Sequence, residues 1–168
     1  FEKPNPYYTN YVLNKIRSHY WSSEKPDPCD CEIAVHIRRG DVQIHRGGDR
    51  KARHMKNEWY NKNIPILAAK YPSHYRIAIY SEGEFQEFAS IIEGWPKDLV
   101  ERTLIRLADQ HSSFQEFDML RTYHHLVTAK VLLMAKSGFS YTAGIFNEGD
   151  AFFAGGSRSI GQKYPLSH

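Results

Sequence analysis

Two adjacent arginines follow a short apolar segment, and they are the residues best suited to binding a phosphorylated ligand. The apolar segment spans residues 33–37, and Arg38, Arg39, Gly40 and Asp41 come directly after it. A guanidinium is planar and always charged, and it can donate two parallel hydrogen bonds to a phosphate. Open parallel sheets bind ligands beyond the carboxyl ends of their strands, so we expect a diphosphate here. Gly40 would let the backbone approach that ligand, and Asp41 could orient an arginine or accept a hydroxyl proton.

Two further polar segments follow predicted strands. Ser81 and Glu82 follow the second strand, and the turn Ser137-Gly138-Phe139-Ser140 follows the fourth. Carboxyl ends of parallel strands meet at one edge of a sheet, so we expect these segments near the arginines. The first turn of a helix offers free N–H groups and the positive end of a dipole, which together attract anions. The hydroxyls of Ser137 and Ser140 can add donors, and one of them can instead cap the helix.

The segment from His36 to Asp41 resembles the His-x-Arg-Arg-Gly-Asp motif of the GDP-fucose-dependent fucosyltransferases, the α1,2, α1,6 and protein O-fucosyltransferase superfamily. Residues 124–143 are similar to the late motif of that family, in which a helix, a buried strand and a serine-bearing turn build the donor pocket. Residues 75–83 resemble the middle motif, a strand that usually ends in Ser-Asp-Asp. This chain has Ser81-Glu82-Gly83 there, and it has Gly138 where the family usually has a second serine or threonine.

The resemblance implies a role for each matching residue. Arg39 would neutralise the β-phosphate as GDP departs, and Arg38 would support it or bind the donor sugar. His36 would contact the nucleotide or stabilise the strand end. Asp118 would recognise the guanine or ribose, and Ser140 with neighbouring amides would hold phosphate oxygens. The candidate catalytic residues are therefore Arg38, Arg39 and Asp41, and the candidate donor-binding residues are His36, Gly40, Ser81, Glu82, Asp118, Ser137, Gly138, Phe139 and Ser140.

The activity implied by the resemblance is transfer of fucose from GDP-fucose to a glycan hydroxyl, with inversion and without a metal ion or other cofactor. The acceptor hydroxyl needs a base, for which Asp41, Glu82 and Asp109 are candidates. Family members usually carry a second, N-terminal Rossmann-like half, so we expect this chain to be a piece of a longer protein. Two alternatives stay open: a non-catalytic module that binds a nucleotide or glycan, and a phosphate-dependent enzyme of another class.

Apolar segments that alternate with amphipathic ones predict the frame for these loops. We expect strands at 33–37, 75–80, 103–108, 130–135 and 151–154, and helices at about 9–20, 58–70, 84–92, 113–127 and 141–146. Such alternation indicates an α/β fold with an open, mainly parallel Rossmann-like sheet and helices on both faces. The resemblance implies the C-terminal donor-binding half of a GT-B glycosyltransferase. We expect a helical lead-in and linker (1–28), the Rossmann-like nucleotide-sugar-binding domain (29–156) and a tail (157–168).

The composition is that of an ordinary globular domain. The 168 residues are 41% hydrophobic and 24% charged, which suits one substantial core. A net charge of +3 gives no support for nucleic-acid binding, and no apolar run approaches the roughly 18 residues of a membrane span. The location stays open: the Golgi or endoplasmic reticulum lumen for a secretory-pathway enzyme, or the cytoplasm for a bacterial or viral one.

Cys29 and Cys31 are the two cysteines, with one residue between them. This spacing is unfavourable for a disulfide between the two, and two cysteines alone make a poor zinc site. We therefore expect two free or externally paired thiols, which leaves the redox compartment undecided.

Overall fold

The protein is described by a computed structural model at residues 10–39, 42, 54–108 and 115–154, without the side chains of Asn10 and residues 115–118. The strands are β1 (Ile33–His36), β2 (Ile77–Glu82), β3 (Thr103–Ala108), β4 (Val131–Met134) and β5 (Asp150–Phe153). The helices are α1 (Asn10–Trp21), α2 (Asn57–Ala68), α3 (Ala89–Ile92), α4 (Lys97–Glu101), α5 (Gln115–Thr128) and α6 (Gly138–Phe146), and a 3₁₀ turn at Phe85–Glu87 precedes α3.

The five strands form one parallel sheet in the order β3–β2–β1–β4–β5. In the centre, Ile33 of β1 lies opposite Ile77 of β2 on one side and Val131 of β4 on the other. After β1 the chain builds β2 and β3 on one side, and it then crosses to build β4 and β5 on the other. The crevice between the carboxyl ends of β1 and β4 is therefore the topological switch point, where open α/β sheets bind ligands. This arrangement confirms the predicted Rossmann-like α/β fold with a parallel sheet.

Side chains of the strands alternate between two cores, one on each face of the sheet. On one face, Ile33, Val35 and Ile79 pack with α2 and α3. On the other face, the smaller Ala34 and Ala78 pack with α5 and α6. Helices thus cover both faces, as predicted. All four residues of β4 are buried. Because helices cover both faces of this strand, its sequence is a continuous apolar run rather than an alternating one.

Three helical segments differ from the prediction. The helix expected at 84–92 is divided into the 3₁₀ turn at Phe85–Glu87 and α3, with the fully buried Phe88 between them. Helix α4 was not predicted, since Gly94-Trp95-Pro96 before it indicates only the end of a helix. Helix α6 begins at Gly138 rather than Tyr141, and Ser137 is its N-cap residue.

The expected lead-in at 1–28 contributes a helix to the layer that contains α5 and α6. The ring of Tyr20 stacks on Phe146 with centroids 4.7 Å apart, and its hydroxyl lies 2.8 Å from His124 Nδ1. Arg17 Nε donates a hydrogen bond of 3.0 Å to the carbonyl of Ile145. Helix α1 therefore packs with α5 and α6 on the same face of the sheet. The expected tail at 157–168 lies outside the described residues.

Cys29 and Cys31 form a disulfide bond, so the expectation of two free or externally paired thiols was wrong. The chain bends between them and brings the two Cα atoms to 5.2 Å, which is within the range of disulfides. Tertiary contacts hold this bend. The backbone N–H of Cys29 donates to Thr128 Oγ1 at 2.9 Å, and Arg76 donates to the carbonyl of Asp30.

Candidate functional site

Arg38 and Ser137 meet at the crevice between β1 and β4. Arg38 lies two residues beyond the end of β1, and Ser137 lies three residues beyond the end of β4. Arg38 Nη1 donates a hydrogen bond of 3.2 Å to Ser137 Oγ, although 99 positions separate the two residues in the chain. The structure thus brings together the first predicted arginine and the serine-bearing turn.

Helix α6 begins at this contact. Ser137 is buried, and its Oγ accepts a hydrogen bond of 3.3 Å from the N–H of Phe139, as expected of a serine N-cap. The aligned peptides of a helix leave partial positive charge and unpaired N–H groups at its first turn. A guanidinium and a helix N-terminus therefore lie side by side, and both attract anions.

Gly138 is the first residue of α6 and is exposed. A Cβ atom at this position would have no heavy atom within 4 Å. The first turn of α6 therefore has room for a side chain at this position.

His36 ends β1 and lies against α6. The centroid of its ring is 5.5 Å from that of Phe139, which also contacts Tyr123 at 5.3 Å. Burial, and secondarily the positive charge of Arg38, lowers the pKa of His36 to about 4, so the imidazole is neutral at neutral pH. Its Nδ1 atom is buried, and within the described ranges it has no hydrogen-bond partner.

Arg39 lies on the opposite side of the extended segment from Arg38. It is 7% exposed, and its guanidinium lies 6.0 Å from the ring centroid of Tyr60 and 5.8 Å from that of Phe88. It donates to the side-chain oxygen of Asn57 and, at 3.0 Å, to the carbonyl of Arg38. Burial lowers the pKa of Arg39 from its ordinary value. The structure therefore separates two arginines that the sequence analysis treated as a pair.

Ser140 and Ser81 direct their hydroxyls to backbone carbonyls. Ser140 is fully buried and donates to the carbonyl of Ala135 at 3.3 Å, which stabilises the turn before α6. Ser81 is buried and donates to the carbonyl of Ile37 at 2.8 Å, which joins the end of β2 to the segment after β1. Glu82 is exposed at the last position of β2. The described contacts thus give Ser137, rather than Ser140, the position next to Arg38.

Several candidates fall on parts of the chain that the structure does not describe. Gly40, Asp41 and Asp109 lie outside the described residues, and so does the side chain of Asp118, whose backbone belongs to α5. The proposed contact of Asp118 with the nucleotide stays a prediction. So does the choice of catalytic base among Asp41, Glu82 and Asp109.

The sequence analysis missed Asn57, the first residue of α2. Its side-chain oxygen accepts from Arg39, and its Nδ2 donates to the carbonyl of Glu87 and, at 3.0 Å, to Ser90 Oγ. Asn57 thereby joins the segment after β1 to the segment after β2. An asparagine before an amphipathic helix is an ordinary N-terminal signal, so its position alone did not distinguish this role.

Within the described ranges, no group of three or more His, Cys, Asp and Glu side chains is arranged to hold a metal ion. None of the helices described here combines the length and the apolar character needed to cross a membrane. No family model fits the chain, and no curated protein matches it.

Proposed function

We propose that this chain binds GDP-fucose at the β1–β4 switch point and acts as the donor-binding half of a fucosyltransferase-like glycosyltransferase. The observation that carries the proposal is the contact of Arg38 with Ser137 at the N-terminus of α6. This contact brings together a guanidinium, a hydroxyl and the N-terminus of a helix, and each of them can bind phosphate oxygens. The resemblance of the segment from His36 to Asp41 supplies the identity of the nucleotide and the sugar.

In the proposed complex, Arg38 and the first turn of α6 hold the diphosphate. Arg38 takes the phosphate-binding role that the resemblance suggested for Arg39, because Arg38 is the arginine beside Ser137. Negative charge develops on the GDP oxygen as its bond to the anomeric carbon of fucose breaks. Fixed donors aimed at such charge lower the barrier. The glycan hydroxyl attacks from the opposite face of the sugar, and its proton passes to a carboxylate, for which Asp41, Glu82 and Asp109 are candidates.

His36 gives the proposal a second support. A buried ring nitrogen that lacks a hydrogen-bond partner costs about 1–3 kcal/mol of folding free energy. An orphaned buried atom of this kind needs an explanation, and a ligand group that supplies the missing partner is one. His36 lies on the same side of the chain as Arg38 and contacts the first turn of α6 through Phe139.

Calorimetric titration with GDP and GDP-fucose tests the proposal, with Arg38→Ala as the main variant. Arg76→Ala is the matched control, since Arg76 is an exposed arginine that precedes β2 at the opposite edge of the sheet. We expect Arg38→Ala to weaken GDP binding by about tenfold to a hundredfold, as charge-assisted bonds are lost, and Arg76→Ala to leave it unchanged. Arg38→Lys keeps the charge without the planar fork and should fall between them. Absence of binding by the unaltered chain at millimolar GDP would contradict the proposal.

Gly138→Ser provides a gain-of-affinity test at the same helix. The position has room for a side chain, and a serine adds a hydroxyl beside the proposed phosphate site. We expect GDP affinity to rise by about twofold to fivefold, whereas Gly138→Ala, which adds a Cβ without the hydroxyl, should not raise it. Equal effects of the two substitutions would argue against a phosphate at the first turn of α6.

The placement of Ser81 favours a second candidate function, a module that binds the nucleotide without transferring the sugar. Its hydroxyl donates to the carbonyl of Ile37. The serine that the middle motif is expected to use for contacting the nucleotide therefore makes a hydrogen bond within the protein instead. Incubation with labelled GDP-fucose and a mixture of glycan acceptors separates the two functions, because label transfer would exclude the passive module. A preference for ATP or NAD over GDP in the same titrations would instead indicate a phosphate-dependent enzyme of another class.

A further inference from the structure

The disulfide between Cys29 and Cys31 lies next to two polar side chains. The hydroxyl of Tyr80 is 3.4 Å from Cys29 Sγ and 2.9 Å from Nδ1 of His125. The backbone N–H of Cys31 also donates to Cys29 Sγ, at 3.3 Å. A phenol hydroxyl and an amide therefore converge on one sulfur of the bridge, that of Cys29.

A cavity of about 420 Å³ opens beside Cys29, between β3 and α5. Its walls include Pro28 and Asp30, the two chain neighbours of Cys29, together with Tyr80 and His125. Cys29 is half-buried, whereas Cys31 is 5% exposed within the apolar core under α5. A small molecule in this cavity would contact Tyr80, whose hydroxyl lies 3.4 Å from Cys29 Sγ, whereas Cys31 is buried in the core.

We propose that Cys29 and Cys31 form a thiol–disulfide exchange site that reacts with a low-molecular-weight thiol through this cavity. Cys29 is the sulfur that exchanges with the small thiol, and Cys31 is the resolving cysteine. Tyr80 is a positioning residue that donates to the Cys29 thiolate, and His125 holds the Tyr80 hydroxyl.

Reduction takes two steps and consumes two equivalents of the small thiol. In the first step its thiolate attacks Cys29 Sγ, the bond between the two cysteines breaks, and Cys31 leaves as a thiolate that takes a proton from water. In the second step another thiolate attacks the sulfur of the bound small molecule, and Cys29 leaves as a thiolate. The protein bridge is reduced by two electrons, and the two small thiols are oxidised to their disulfide. Oxidation of the protein is the reverse sequence, with Cys29 as the nucleophile.

The surroundings of Cys29 favour its thiolate. Burial raises the pKa of Tyr80 to about 12, so the phenol keeps its proton and can donate it in a hydrogen bond. Its oxygen can accept from His125 when that ring carries its proton on Nδ1. Hydrogen bonds to an ionised sulfur are stronger than those to a neutral disulfide, so these donors stabilise the reduced form more than the oxidised form. The bridge also closes a very short loop, which removes little chain entropy from the unfolded state.

The first test is equilibration of the folded protein in mixtures of reduced and oxidised glutathione, with free thiols then trapped by iodoacetamide and counted by mass spectrometry. We expect reversible reduction without unfolding, and we expect Tyr80→Phe to need about tenfold stronger reducing conditions for half reduction. Tyr75→Phe is the matched control, since Tyr75 precedes the same strand as Tyr80 but contacts Tyr71 and Lys130, and it should behave as the unaltered chain does. A bridge that is trapped only after unfolding, or an unchanged midpoint in Tyr80→Phe, would overturn the proposal.

Single-cysteine variants test the assignment of the reacting sulfur independently. Cys31→Ser leaves Cys29 with its two donors, and Cys29→Ser leaves Cys31 in the core. With oxidised glutathione, the Cys31→Ser protein should form a mixed disulfide at least about tenfold faster than the Cys29→Ser protein, because Cys29 keeps two hydrogen-bond donors and is more exposed than Cys31. Equal rates, or a faster Cys31, would show that the contacts around Cys29 do not direct the exchange.

Discussion

Arg38 and Arg39 are neighbours in the chain, yet one is half-buried beside Ser137 and the other is buried against the rings of Tyr60 and Phe88. An extended segment sends successive side chains to opposite faces, so Arg38 faces α6 and Arg39 faces α2. Adjacent residues of the same type can therefore have different tasks. Arg38 lies at a place suited to binding an anion, and Arg39 holds together the elements that surround the site.

The contacts of Arg39 explain how it does so. In the described part of the chain it forms no salt bridge, and its guanidinium is stabilised by an amide oxygen, a carbonyl and two aromatic faces. Through Asn57 these contacts extend to Glu87 and Ser90, which follow β2. Arg39 thus joins the ends of two strands, whereas the contact of Arg38 joins the end of β1 to α6.

The largest expected effect is the loss of stability in Arg39→Ala. The free energy of unfolding should fall by about 2–4 kcal/mol, because the substitution leaves a cavity and unpaired buried oxygens. Arg38→Ala should cost less than about 1 kcal/mol, since Arg38 is more exposed than Arg39. Urea unfolding of both variants measures the difference. Arg39→Met keeps most of the side-chain volume, so it distinguishes the contribution of packing from that of hydrogen bonding. Equal losses of unfolding free energy in Arg38→Ala and Arg39→Ala would show that Arg39 is not the structural arginine of the two.

A smaller effect is expected from acid, through His36 on the Arg38 side. Its pKa of about 4 in the folded chain lies below the ordinary value of 6.5, so the unfolded chain binds the proton first as the pH falls. The stability contributed by the neutral ring is complete above pH 6.5 and is lost between pH 6.5 and 4. At pH 5 this group alone should lower the free energy of unfolding by about 2 kcal/mol.

Urea unfolding at pH 7.5 and pH 5, together with an NMR titration of the ring, measures this effect. His54, His124 and His125 also have pKa values lowered by burial, so His36→Gln should remove part of the acid sensitivity rather than all of it. Arg38→Ala should raise the pKa of His36, because a nearby positive charge disfavours the imidazolium. An unchanged titration of His36 in Arg38→Ala would show that the two side chains are not coupled.

The smallest expected effect is a coupling energy between Arg39 and Asn57. A double-mutant cycle with Arg39→Ala and Asn57→Ala should give a coupling of about 1–2 kcal/mol, because the two side chains share a hydrogen bond. The corresponding cycle with Arg38→Ala should give a value within about 0.5 kcal/mol of zero. Similar coupling energies in both cycles would show that the two arginines belong to one hydrogen-bond network.

Local patterns were enough to predict most of the elements. The strand predicted at 103–108 has the same ends as β3, and the nearly continuous apolar run at 130–135 predicted a central strand, in agreement with β4, which is paired on both sides. The division at Phe88 was not predicted, because no glycine or proline marks it and the apolar spacing of residues 85–92 is that of one helix. The start of α6 was misplaced for a related reason, since Ser137 and Ser140 were equally plausible caps until Ser137 was seen to accept from Phe139.

The parallel α/β frame and the concentration of polar residues after its strands could be inferred from the amino-acid sequence, because both follow from short-range periodicity. Which of these polar residues contact each other depends on the folded structure. The strand order brings Arg38 next to Ser137, although 99 positions separate them in the chain, and the pleat directs Arg39 away from that contact. Hydrogen bonds from Cys29 to Thr128 and from Arg76 to Asp30 stabilise the bend in which Cys29 and Cys31 form their disulfide. All of these contacts join segments that are distant in the chain. The free energy of each contact depends on how the whole sheet packs, not on the residues adjacent in sequence.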